Sequence, residues 1–181
     1  AEQEQVVASV TEALGKGFSG WLLAGVTGSG KTEVYLRLAQ EVIGRGLSVI
    51  VLVPEIALIS QTERRFRARF GECVAVLHSG LTSRERRIQW QKILRKEACI
   101  AVGPRSSVFA PFDNIGLIIV DEEHDGSYKQ ENDLLYNARD IALVRAKFCE
   151  CPALLGSATP SVQTYYNACI GKLTELKLTS R

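Results

Sequence analysis

The stretch Gly25-Val-Thr-Gly-Ser-Gly-Lys31-Thr32 limits what this chain can fold into more than any other. It is a complete G-x-x-x-x-G-K-[ST] phosphate loop. An apolar run, Trp21-Leu-Leu-Ala24, precedes it, and a helical pattern, Val34-Tyr-Leu-Arg-Leu38, follows it. Such a loop works only between a strand and a helix, so the sequence commits this region to a strand–loop–helix unit. Its glycines let successive N–H groups turn inward on an anion, and the helix N-terminus adds partial positive charge. Gly25, Val26, Thr27, Gly28, Ser29 and Gly30 are expected to enclose the phosphates of ATP. Lys31 is expected at the β- and γ-phosphates, and Thr32 on Mg²⁺.

The rest of the chain repeats the alternation that this unit needs. Strands are expected at Trp21–Ala24, Ser48–Val53, Val74–Leu77, Cys99–Val102, Gly116–Val120, Ala153–Leu155 and Leu173–Leu178. Helices are expected at about 4–14, 31–44, 60–70, 82–97, 137–149 and 161–170. Several strands are apolar on both faces, as in a sheet covered on both sides. The expected class is therefore α/β: a mainly parallel sheet with helices on both faces, in one domain spanning residues 1–181. Sites in such sheets lie at the carboxyl ends of the strands.

Composition narrows the setting. A net charge of +2 over 181 residues is too small to announce a nucleic-acid binder. Purely aliphatic runs such as Leu117 to Val120 are far too short for a membrane span, so no membrane partner is expected. The opening Ala-Glu-Gln-Glu-Gln does not read as a secretory leader. Five cysteines and two histidines include no C-x-x-C pair, so zinc is not expected in this chain. Reduced thiols in a cytoplasmic protein are the expectation.

Two further signals carry chemistry. Leu117-Ile-Ile-Val-Asp121-Glu122-Glu123-His124 brings acids to the end of an apolar strand. Asp121 is expected to hold Mg²⁺, and Glu122 to orient or deprotonate the attacking water. Leu155-Gly-Ser157-Ala158-Thr159-Pro160 places hydroxyls at another strand end. Basic clusters at Arg64-Arg65-Phe66-Arg67-Ala-Arg69 and at Arg84, Arg86, Arg87, Arg95 and Lys96 read either as an electrostatic track for DNA or as solvated helix faces. The second reading is favoured, because acids stand nearby.

Lys31-Thr32, Asp121-Glu-Glu-His124 and Ser157-Ala-Thr159 resemble motifs I, II and III of the superfamily 2 helicases. The flanking text, including Leu52-Val-Pro-Glu-Ile-Ala-Leu58, Leu77-His-Ser-Gly80 and Asp121 to Gln130, is similar to the primosomal replication-restart helicases within that superfamily. The resemblance implies a RecA-like lobe containing motifs I, Ia, Ib, II and III. It implies that Gln5 reads adenine and that Pro54, Glu55, Arg105, Ser106 and Lys129 meet single-stranded DNA. His124, Ser157 and Thr159 would couple nucleotide state to DNA grip. It further implies an ATP-dependent, 3′-to-5′ DNA helicase of the bacterial cytoplasm, acting on single-stranded and forked DNA. A second helicase lobe, primosome proteins and a single-strand binding protein would be its partners. The second lobe, a DNA-end-binding domain and a zinc-binding domain have no counterpart in these 181 residues. Pro104 stands where that family has threonine, and Asp133-Leu134-Leu135 replaces a more basic, aromatic stretch. Two other readings of the residues remain: a P-loop kinase for a small acceptor, and a non-catalytic lobe using nucleotide as a switch.

Overall fold

The computed structural model describes residues 2–54, 56–132 and 134–179, with the side chains of residues 56–58 left out. The expectations for Glu55 and Asp133 lie outside the described residues. Among those described, seven strands form one parallel sheet in the order β3-β4-β2-β5-β8-β1-β9. These are β1 (Ser19–Gly25), β2 (Ser48–Leu52), β3 (Val74–Val76), β4 (Ile100–Gly103), β5 (Ile115–Val120), β8 (Pro152–Ser157) and β9 (Thr174–Leu178). Two short strands, β6 (Lys129–Gln130) and β7 (Tyr136–Asn137), pair antiparallel outside it. The helices are α1 (Glu2–Ala13), α2 (Lys31–Gly44), α3 (Ile56–Phe70), α4 (Ser83–Leu94), α5 (Ala138–Phe148) and α6 (Val162–Cys169).

Side chains alternate across a strand, so neighbouring apolar residues enter different layers. Val49 and Val51 face one core with Leu23, Leu117, Ile119 and Leu154. Val6 and Val10 of α1, Val34 and Leu38 of α2 and Phe66 of α3 cover that face. Ile50 and Leu52 face the opposite core with Ile118, Val120 and Leu155, beneath Ile93 of α4 and Ala138, Ala142 and Ala146 of α5. Two covered faces explain why β2, β5 and β8 are buried at every position. Because the strands are parallel, the loops after Gly25, Leu52, Gly103, Val120 and Ser157 emerge at one edge.

The structure departs from the sequence reading in several places. Helix α3 starts at Ile56 rather than near residue 60; its first turn, Ile-Ala-Leu, reads equally well as the tail of the preceding apolar run. The β6–β7 hairpin was not expected, since two residues per strand carry no periodicity. Cys73 and Cys99 form a disulfide with a Cα–Cα distance of 5.4 Å, which corrects the expectation of five reduced thiols. Its basis is the register: Val74 of β3 lies against Ile100 of β4, so the residues just before them face each other. Cys149 and Cys169 are exposed, while Cys151 is buried and burial pushes its thiol up to about 12. No described helix is long and apolar enough to cross a membrane.

Candidate active site

Strand β1 ends at Gly25 and α2 begins at Lys31, and the loop between them turns on two glycines. Gly28 and Gly30 have φ of 86° and 88°, a region that costs glycine little. Gly30 caps α2 in this left-handed form. Val26, Thr27 and Gly28 are exposed, whereas Ser29 is buried and its Oγ has no hydrogen-bond partner. Lys31 is only 8% exposed. Its Nζ donates to the Gly25 carbonyl at 2.7 Å and lies 3.6 Å from Glu122 Oε1. Thr32 is half-buried in the first turn of α2.

Strand β5 delivers the acids to the same place. Asp121 Oδ1 accepts a hydrogen bond from Tyr35 Oη at 2.9 Å, and the Asp121 carbonyl accepts one from Tyr128 Oη at 2.6 Å. Burial holds the Asp121 carboxyl above its usual range, against the pull of the Tyr35 hydrogen bond. Burial and the neighbouring Asp121 push the Tyr35 phenol well above its ordinary value. Tyr35 is therefore a fixed donor that orients one Asp121 oxygen. Gly156 makes this possible, because a Cβ there would stand 1.8 Å from Tyr35 Oη. Glu122 has φ 45°, a left-handed backbone that costs a non-glycine residue of order 1–3 kcal/mol. That turn aims its carboxylate at Lys31 and, at 3.5 Å, at the Ala158 amide.

The predicted coupling residues lie beside this pair. His124 Nδ1 is 2.8 Å from Ser157 Oγ, and Nε2 is 3.4 Å from Thr159 Oγ1. The Thr159 amide donates back to Ser157 Oγ at 3.0 Å. The end of β5 and the end of β8 are thus joined through one imidazole. Thr27, Gly28, Lys31, Thr32, Asp121 and Glu122 line a single cleft of about 320 Å³. The cleft fits a nucleoside triphosphate with Mg²⁺. Ser29 Oγ is an orphaned buried hydroxyl within the loop, and a cation and two carboxylates line the cleft beside it. Thr32 and Asp121 would hold Mg²⁺, which takes one or two protein oxygens and completes its shell with phosphate and water.

Gln5 falls elsewhere. It sits exposed on α1. Gln3 takes the place at the loop instead, its Nε2 donating to the Ser29 carbonyl at 3.2 Å and closing against Gly30. The reason is helical phase: residues 3, 6 and 10 share the stripe that α1 turns to the sheet, and Val6 and Val10 are its buried members. That phase was available in the sequence. The resemblance pointed to Gln5 of Gln-Glu-Gln, whereas the structure brings Gln3 to the loop.

The predicted DNA-facing residues gather at a second cleft of about 610 Å³ on the same edge. Pro54, Arg105 and Ser106 line it, together with His78, Arg86 and Trp90. Lys129 is exposed nearby on β6. Arg105 spends its Nη1 on the Ser127 and Lys129 carbonyls, at 3.2 and 2.8 Å, and Ser127 Oγ donates to the Pro54 carbonyl at 3.0 Å. These bonds tie the loops after β2, β4 and β5 into one wall. Pro104 precedes the 3-10 turn Arg105–Phe109 without a backbone N–H of its own to offer. Trp90 was not singled out in the sequence, since an aromatic on a helix reads first as core.

Sheet and cleft together define a RecA-like nucleotide-binding lobe of the P-loop class. The chain belongs to the DEAD/DEAH box helicase family, which matches residues 1–168. It is 52% identical over 161 residues to the replication restart protein PriA of Bacillus subtilis, covering 89% of this chain and 20% of that protein. It is 45% identical over 180 residues to PriA of Treponema pallidum, covering 99% of this chain and 27% of that protein. The chain thus spans between a fifth and about a quarter of the length of these relatives. RecG bound to a three-way DNA junction superposes with a TM-score of 0.74 at 23% identity, over 99% of this chain and 23% of RecG. A DEAD box protein from the hyperthermophile Methanococcus jannaschii superposes with a TM-score of 0.65 at 17% identity, over 99% of this chain and 49% of that one. Both likenesses are likenesses of fold. Family membership disfavours the small-acceptor kinase and the non-catalytic switch.

Proposed function

We propose that this chain is the ATP-binding lobe of a DNA-dependent ATPase and 3′-to-5′ DNA helicase that serves primosome assembly and the restart of stalled replication forks. One observation carries the reading: Lys31, Asp121 and Glu122 converge on one cleft, while His124 links that cleft to Ser157. Bound ATP–Mg²⁺ supplies the phosphoryl group and neutralises part of its charge. Amides from Gly28 to Thr32 cradle the phosphates, and Lys31 leaves Glu122 to meet them. Glu122 orients the attacking water and takes its proton. Asp121, held by Tyr35, keeps its ligand oxygen aimed without reorganising during the reaction. The His124–Ser157–Thr159 contacts register the change at Glu122 and pass it to the end of β8.

In this reading single-stranded or forked DNA runs along the cleft of Pro54, Arg105 and Ser106, with Lys129 at its rim. Glu55 and the zinc-binding, DNA-end-binding and second helicase domains keep the roles the resemblance gives them, while adenine reading falls to the Gln-Glu-Gln segment whose Gln3 reaches the loop. A second lobe faces the exposed phosphate loop from across the cleft. Primosome proteins and single-strand binding protein are the partners proposed in the bacterial cytoplasm. The names of the curated relatives support the restart role, and the open cleft supports the need for a second wall.

Phosphate release tests the proposal, measured with and without single-stranded DNA. The 181-residue chain alone should turn over poorly, because a one-sided cleft leaves the γ-phosphate wet and without a finger arginine, a group worth about 10³–10⁵ in rate elsewhere. Robust DNA-stimulated release by this chain alone would show that the site is complete and would overturn the two-lobe reading.

A further inference from the structure

Helix α3 carries four arginines in six residues, and their environments differ. Arg67 Nε donates to Glu63 at 2.8 Å. Arg69 reaches Glu33 at 3.2 Å and Gln40 at 3.1 Å. Arg64 Nε lies 3.4 Å from the Ser60 carbonyl. Arg65 has no ion-pair or hydrogen-bond partner among the described residues. It is exposed, and with Gln61 and Thr62 it lines the phosphate-loop cleft.

Its position follows from helical spacing. Arg65 and Arg69 are four residues apart, hence one turn apart on one face. Arg69 is anchored on Glu33, the residue after Thr32. Helix α3 runs away from the carboxyl end of β2, so the earlier residue is nearer the edge where Asp121 and Glu122 lie. Arg65 therefore stands one turn above the anchor, at the Mg²⁺ end of the cleft.

The charge balance calls for a cation there. The cleft holds two carboxylates, and Lys31 is shared between Gly25 and Glu122. A triphosphate brings more negative charge than one Mg²⁺ cancels. A guanidinium offers a planar fork suited to phosphate oxygens. We propose that Arg65 is a specificity-determining residue that holds the terminal phosphate of the nucleotide, so that this lobe tells a nucleoside triphosphate from a diphosphate through its own chain. This rests on the reading of the cleft as a nucleotide site.

Affinity for AMP-PNP and for ADP, each with Mg²⁺, tests it by competition against a fluorescent ADP. Four forms of the chain are compared: wild type, Arg65→Ala, Arg64→Ala and Lys31→Ala. Arg65→Ala should weaken AMP-PNP about 10- to 100-fold, the range of one lost charge-assisted hydrogen bond, and ADP less than about 2-fold. Arg64→Ala should match wild type for both, and Lys31→Ala should lose both. If Lys31→Ala loses binding but Arg65→Ala behaves as Arg64→Ala does, the proposal falls and the nucleotide site stands. Equal weakening of AMP-PNP and ADP by Arg65→Ala overturns the assignment to the terminal phosphate. A wild-type chain that binds neither nucleotide, or a Lys31→Ala chain that binds both normally, takes down the nucleotide site and the proposal together.

Discussion

Two adjacent glutamates in Asp121-Glu-Glu-His124 do opposite work. Glu122 faces the cleft on a left-handed backbone. Glu123 turns inward, 2% exposed, and gathers donors from α5 and from the start of α6. It accepts from the Ser161 amide at 2.7 Å, Ser161 Oγ at 3.0 Å, Thr164 Oγ1 at 2.7 Å and Arg139 Nη1 at 3.3 Å. The end of β5 is thereby fastened to α5 and to the start of α6. Glu123→Ala removes a buried acceptor of four hydrogen bonds while Arg139 keeps Asp140, Ser161 and Gln163, and should cost about 1–3 kcal/mol of stability. Urea unfolding measures this, and a midpoint like that of wild type would show that the cluster is dispensable. Glu122→Gln should behave differently in a protein competent for turnover. It should keep ATP–Mg²⁺ binding and lose roughly 10²-fold or more in rate, by removal of a general base. Asp121→Asn should weaken the Mg²⁺ dependence instead; matching Mg²⁺ titrations for the two variants would refute this division of labour. The sequence marked Asp121 and Glu122 because a strand followed by acids has few uses beside a phosphate loop. It could not show which glutamate faces the core, since a tight turn after a strand obeys neither period.

At the scale of elements, what was legible had strong local physics. Helix α2 was placed from Lys31 to Gly44 because the loop's glycines fix its start and Gly46 follows its end. Helix α4 was expected to run to Glu97, but it stops at Leu94, where Arg95 caps it and Lys96 turns to φ 60°. Its start was better marked, since Thr82 and Glu85 form a reciprocal capping box. Pairing between strands was not legible, and the cysteines depended on it. Nothing in a linear reading sets Cys73 beside Cys99, 26 residues away. Alkylation followed by mass mapping checks the consequence. Without reductant, Cys149 and Cys169 should label quickly and Cys151 slowly, its thiol being buried and raised in pKa. Cys73 and Cys99 should label only after reduction, and prompt labelling of either in the native protein would contradict the bridge.

For the whole molecule, the α/β class was readable from alternation, yet the order of the sheet was not. Strand β1 is held between β8 and β9, with Trp21 in register with both Leu154 and Thr174. Local propensity carries no trace of a partnership that distant. The order has a consequence for synthesis on the ribosome. Strands β2 to β5 can pair among themselves while translation proceeds. Strand β1, made before these four, has neither neighbour until β8 and β9 emerge. Strand β8 begins at Pro152, about 127 residues after β1 ends at Gly25. At about 5–20 residues per second that is a wait of roughly 6–25 s for an apolar strand carrying the phosphate loop on its end. The nucleotide cradle is therefore closed only once β8 has emerged, and until then Trp21-Leu-Leu has no strand to pair with.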